Sequence, residues 1–123
     1  MIQTMLVISA ILLILYGLGF VFIPNTLLSF YNVQLELDGI VLTQLLGAAF
    51  MGFGLLNWQT WKSIKGAENR YILNANIIHF FVGFLALLIG RINGAGNELI
   101  WLNIFLYLIF ALGFASTLFK NNK

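Results

Sequence analysis

Apolar positions in this chain do not alternate with polar ones; they run on. Residues 4–23, 40–61, 71–90 and 99–119 are four stretches built mostly from Leu, Ile, Phe, Val, Ala and Gly. A helix of roughly 20 residues crosses the hydrocarbon core of a bilayer, and each stretch is of that length. Inside hydrocarbon every backbone N–H and C=O must be satisfied within the segment, which favours helices over open strands. A membrane β-barrel would instead show short segments of alternating character, and none occur. The pattern therefore predicts an all-α fold: a four-helix transmembrane bundle, with residues 1–123 as a single membrane domain.

The connections are short. Residues 24–39 form the longest, and Pro24 suits the first turn of a new helix. Leu27, Leu28, Phe30 and Tyr31 give that segment an apolar side, so a short interfacial helix is expected after the first span. Residues 62–70 read as a polar turn, and residues 91–98, RINGAGNE, as a glycine-rich one.

Composition sharpens this picture. The chain is 61% hydrophobic and 8% charged, against about 25% charged residues in an ordinary soluble domain. So little charge cannot cover a soluble surface, and the bilayer is the first partner implied. The formal charge of +2 does not point to nucleic acid, because the six basic residues sit at helix ends rather than along one face. Lys62, Lys65, Arg70, Lys120 and Lys123 fall on the side shared by both termini, and Arg91 falls on the other with Glu36, Asp38 and Glu98. Basic residues favour the cytoplasmic side, so both termini are expected there. Trp58, Trp61 and Tyr71 then belong to an inner aromatic belt, and Tyr31 and Trp101 to an outer one. The first span lacks the basic leader of a signal peptide and reads as a retained helix.

Candidate chemistry is sparse. There are no cysteines, which excludes disulfides, thiol redox chemistry and thiolate metal sites. No Asp, Glu, Lys or Arg falls within a span, which removes the intramembrane acid of proton-coupled transport and paired-carboxylate catalysis. The lone histidine, His79, has no acidic neighbour in its span. No catalytic residue, metal ligand set or cofactor is expected.

The remaining polar residues sort by depth. Asn57, Asn74, Asn76 and Ser116 lie near the inner boundary, His79 near the middle, and Gln44 and Asn103 in the outer half, close enough in depth to pair. Tyr16 and Tyr107 lie about one turn outward of His79, and either could bond it. Asn76, His79, Gly83, Ala86 and Gly90 share one face of the third span, and Gln44, Gly47, Met51 and Gly54 share one face of the second. The plain reading is packing: small residues let helices approach, and amides bond between them. The functional reading makes His79, Asn76, Gln44, Asn103, Tyr16 and Tyr107 the candidate ligand-binding set.

The second span, Leu45-Leu46-Gly47-Ala48-Ala49 through Gly52-Phe53-Gly54-Leu55-Leu56-Asn57-Trp58, resembles small bacterial four-span proteins of the DoxX-like group. It is most similar to their uncharacterised DUF4345 type. Pro24 after the first span, and Gly96-Asn97 leading to Trp101, fit the same pattern. The resemblance covers most of the chain. It implies a four-helix bundle in the bacterial inner membrane, accessory to a membrane redox or other assembly. The matched residues are packing residues, so no catalytic role carries over, and the redox cysteines of some relatives are absent.

Three readings follow. The leading one is a non-enzymatic membrane subunit or scaffold, in a homo-oligomer or a larger complex. The second is a binder or carrier of a small apolar ligand, a quinone or a lipid, in an intramembrane cavity near His79. The third, a membrane enzyme such as an isomerase, suffers from the missing acid. A cavity lined by His79 would favour the second over the first.

The charge bias carries its own test. Reporter fusions after Lys123 and within residues 91–98 should report opposite sides, with the Lys123 fusion cytoplasmic; a C-terminus on the far side would reverse the assignment.

Overall fold

The computed structural model describes residues 2–63 and 70–120. Five helices follow one another: α1 (Ile2–Phe22), α2 (Pro24–Ser29), α3 (Leu37–Thr60), α4 (Arg70–Ile92) and α5 (Ile100–Lys120). All but α2 are long and apolar enough to cross a membrane. The expected short helix after the first span is α2, and Pro24 occupies its first turn. Of the basic residues used for orientation, Lys65 and Lys123 lie outside the described residues.

The helices are apolar on both sides. On α1, Leu6, Ser9, Ala10, Leu13, Gly17 and Phe20 are buried. The opposite stripe, Ile8, Ile11, Leu15, Leu18 and Phe22, is exposed and equally apolar. A water-soluble helix would carry charge there; hydrocarbon is the solvent that suits it. The observed helix ends fall within three residues of the predicted spans. α3 begins at Leu37 rather than residue 40, which brings Asp38 into its first turn, where the positive end of the helix dipole favours a carboxylate.

The bundle consists of two pairs, α1 against α3 and α4 against α5, joined mainly where α1 meets α5. The pairs are held differently. α1 and α3 meet backbone to backbone: a Cβ on Gly17 would lie 2.7 Å from the Gly47 carbonyl oxygen, and one on Gly47 would lie 2.7 Å from that of Gly17. Gly54 repeats the approach one level down, against Ile14 and the Ala10 carbonyl. α4 and α5 meet through rings, with Phe80 stacked on Phe110 at 4.9 Å and on Phe114 at 6.1 Å between centroids.

Packing concentrates toward the two ends. Nearer the termini, Leu6, Leu13, Ile72, Leu73, Phe80, Phe110, Ala111 and Phe114 form one core. At the opposite, loop-bearing end, Tyr31, Ile100 and Ile104 form a second.

The glycine contacts predict a contrast along α3. Gly47→Leu should lower the melting temperature in detergent clearly, since overpacking costs about 1–3 kcal/mol. Gly52→Leu should not, because a Cβ at Gly52 meets nothing within 4 Å. Equal melting of the two variants would place Gly47 against lipid.

Candidate functional site

Polar side chains in the bundle interior gather in two clusters with an apolar space between them. The cluster nearer the termini joins three helices. Asn57 on α3 and Asn76 on α4 exchange amide hydrogen bonds, Asn57 Nδ2 to Asn76 Oδ1 at 2.9 Å and Asn76 Nδ2 to Asn57 Oδ1 at 3.0 Å. Asn57 also donates to Ser9 Oγ on α1 at 3.0 Å, and Asn76 to the Ile72 carbonyl at 2.9 Å. All four amide hydrogens are used, and Ser9, Asn57 and Asn76 are fully buried.

The second cluster closes the loop end. Tyr16 on α1, Tyr31 from the segment after α2, and Asn103 on α5 meet in a triangle. The two phenol oxygens lie 2.9 Å apart, each lies 3.2 Å from Asn103 Oδ1, and Asn103 Nδ2 donates to Tyr31 Oη at 3.1 Å. Backbone geometry turns Tyr31 inward. Asn32 takes a left-handed φ of 59°, which asparagine tolerates better than most residues. Asn97 Nδ2 donates to the Phe30 carbonyl at 3.0 Å, tying the turn before α5 to this segment. Gly96, at φ 63°, lets the two loops close, since a Cβ there would lie 3.1 Å from the Tyr31 carbonyl oxygen and collide with Ile100. Burial, reinforced by the Tyr16 hydroxyl, pushes the Tyr31 phenol up to about 12, so it keeps its proton.

Between the clusters lies a cavity of about 530 Å³, lined by all four long helices. Its wall is apolar except for Tyr16, His79, Asn103 and Tyr107. Pockets for small molecules span roughly 300–1,000 Å³ and are mostly apolar with a few polar groups, so both size and lining fit. The cavity opens sideways. α3 and α4 meet at the Asn57–Asn76 bridge and where Phe50 and Phe53 pack on His79, with little backbone approach between them, and Leu46 on one side and Ile78 and Val82 on the other line the cavity while remaining about half exposed. That opening faces lipid rather than water.

His79 sits among aromatic rings. Phe80, Phe53, Phe50 and Tyr107 lie at centroid distances of 4.8, 4.9, 5.5 and 5.5 Å. Its Nε2 is buried and has no hydrogen-bond partner among the described residues. An unsatisfied buried polar atom costs about 1–3 kcal/mol. The bond from His79 to Tyr16 or Tyr107 expected from depth is not formed: Tyr16 is engaged with Tyr31 and Asn103, and Tyr107 flanks the imidazole ring to ring.

Of the six candidates, His79, Tyr16, Tyr107 and Asn103 come together at the cavity. Gln44 and Asn76 do not. Asn76 belongs to the amide bridge. Gln44 donates to the Val21 carbonyl at 3.1 Å, so the expected Gln44–Asn103 pair is absent. Equal depth did not bring them together because α3 packs on α1 and α5 on α4. Tyr31, expected in the outer aromatic belt, is 7% exposed and points into the protein. Residue spacing gives no face to a loop side chain, so only the neighbouring Asn32 and glycine-rich turn hinted at it. No family model, curated protein or solved structure matches this chain.

The amide bridge predicts a non-additive pair of variants. Asn57→Leu alone strands Asn76 and should lower stability by about 1–3 kcal/mol. Asn57→Leu with Asn76→Leu should recover much of that loss, because two apolar partners leave nothing unpaired. Additive melting losses would show that the two amides act independently.

Proposed function

We propose that this protein binds a small apolar ligand taken from the bilayer, of quinone or lipid type, in the cavity beside His79. The observation that carries the proposal is the cavity itself: about 530 Å³, apolar walled, open between α3 and α4, with the His79 imidazole in its lining. A packed interior would have favoured a purely structural role. A ligand entering from the membrane leaves water-free surroundings for water-free surroundings, so the polar groups supply selectivity while the walls supply contact area. The side chains present offer binding and orientation, and no acid–base pair, so the reading is of a binder or carrier rather than an enzyme.

A second reading, a membrane scaffold or homo-oligomer, draws on a different surface. Ala48, Ala49 and Gly52 on α3 are exposed, and small residues at that spacing suit close helix contact with another membrane protein. The two roles are compatible, since this stripe and the cavity lie on different sides of α3. Membership of the DoxX-like group, of its DUF4345 type and of the bacterial inner membrane with cytoplasmic termini rests on the residues quoted for each.

Native mass spectrometry of protein extracted in mild detergent tests the binding role. The wild type should retain an apolar small molecule, and Ala86→Trp, which puts an indole into the cavity, should lose it at least tenfold while melting no lower. Equal retention by the two proteins would remove the cavity from the function. His79→Gln should retain fold and lower retention; unchanged retention would remove His79 alone.

A further inference from the structure

We propose that the loop-end wall of the cavity accepts a hydrogen bond but does not give one, and so selects an apolar alcohol over its ether or ester; this rests on the cavity being a ligand site. The reason is the hydrogen count in the Tyr16–Tyr31–Asn103 triangle. Four polar contacts join the three side chains. With Asn103 Oδ1 toward both phenols, two phenolic hydrogens must serve three oxygen–oxygen contacts, and one contact has no hydrogen. An asparagine amide is assigned from its network, since its oxygen and nitrogen occupy nearly equivalent positions. Turned so that the nitrogen faces both phenols, it donates to Tyr16 and to Tyr31. Tyr16 then donates to Tyr31, and Tyr31 donates to the amide oxygen. Four hydrogens meet four contacts, and none is left over.

What the triangle presents to the cavity follows directly. Tyr16 and Asn103 line the cavity wall and Tyr31 stands behind them. With every hydrogen committed, the wall offers only lone pairs. The Tyr31 phenol, pushed up to about 12, does not ionise to alter that count near neutral pH. In the same lining, about one helical turn along α5 from Asn103, Tyr107 brings a phenol, and beside it His79 brings an imidazole, each able to donate. A group lodged between them must donate in one direction and accept in the other. A hydroxyl does both; a carbonyl or ether oxygen only accepts and leaves Tyr16 facing an oxygen. The cavity volume and the sideways opening limit the rest of the molecule to a single apolar body that arrives through the membrane. Within the quinone and lipid types proposed above, the ligand class is therefore a long-chain or isoprenoid alcohol, or a phenol or quinol with an apolar tail, and not an oxidised quinone or an ester lipid.

A matched pair of probes tests this: farnesol and its methyl ether, each added at equal concentration to detergent-solubilised protein stripped of lipid, with occupancy read by native mass spectrometry. Ala86→Trp defines adsorption outside the cavity and is subtracted. Wild type should prefer the alcohol by about tenfold, the worth of one hydrogen bond. Tyr16→Phe keeps the ring and should reduce that preference to less than threefold through weaker binding of the alcohol, with binding of the ether unchanged. If both probes bind the wild type equally, the hydrogen-accepting wall is wrong and the cavity remains a ligand site. A preference that survives in Tyr16→Phe and also in Asn103→Leu overturns it too. If neither probe binds above the Ala86→Trp level, the ligand reading of the cavity falls together with the inference.

Discussion

Asn57 and Asn76 exchange hydrogen bonds in the buried, mostly apolar interior nearer the termini, and the arrangement of the helices depends on that exchange. It is the polar tie between α3 and α4 among the described residues. Ser9 extends it to α1, so three helices are fixed at one level. In hydrocarbon an unpaired amide has no water to fall back on, so the amides hold α3 and α4 together there, beside the packing of Phe50 and Phe53 on His79. Away from that level no side-chain hydrogen bond joins α3 and α4 among the described residues, and beyond the rings around His79 the two helices part. The opening into the cavity is thus a consequence of where the amides stand.

The two helix pairs also differ in kind, and the difference makes room. α1 and α3 touch through glycine backbones, which brings their axes close and leaves their large side chains to point elsewhere. α4 and α5 are held apart by the width of stacked rings. A narrow pair set against a wide pair does not fill the space between them evenly. Cores form near each end, where Phe114 and Leu73 on one side and Ile104 on the other are fully or almost fully buried. The middle is left lined by Phe50, His79 and Tyr107. His79 stands in that lining among four aromatic rings, none of which meets its buried Nε2 with a hydrogen bond.

The architecture was legible in the sequence because hydrophobic length is a one-dimensional property. The four spans, the short helix at Pro24, and the contacts at Gly47 and Gly54 could be read from run length and helical spacing. Depth could be read as well, and it put His79 beside Tyr107, ring to ring at 5.5 Å, but without the expected hydrogen bond. What spacing could not supply was which helix stands beside which. Gln44 and Asn103 share a depth but sit on helices that belong to different pairs. Tyr31 was misplaced for another reason: it lies in a loop, where a side chain's direction is set by one left-handed residue and a tie from Asn97 rather than by any period. The cavity, a volume between elements, had no signature along the chain beyond the absence of charge.

The pairing has a further consequence for how the protein reaches the membrane. Each helix pair is drawn from one half of the chain, α1 with α3 from the first and α4 with α5 from the second. During synthesis the first half can complete its glycine contact before the second has left the ribosome, in keeping with the tendency of chains to fold unit by unit from the N-terminus. Until then Asn57 waits in the bilayer with only Ser9 to bond. The arrival of Asn76 resolves that exposure, and the same step that relieves the stranded amide docks the two hairpins. A second half that inserted in the wrong register would leave Asn57 with Ser9 as its remaining side-chain partner among those described, so correct docking of the two halves and satisfaction of the amides are one event.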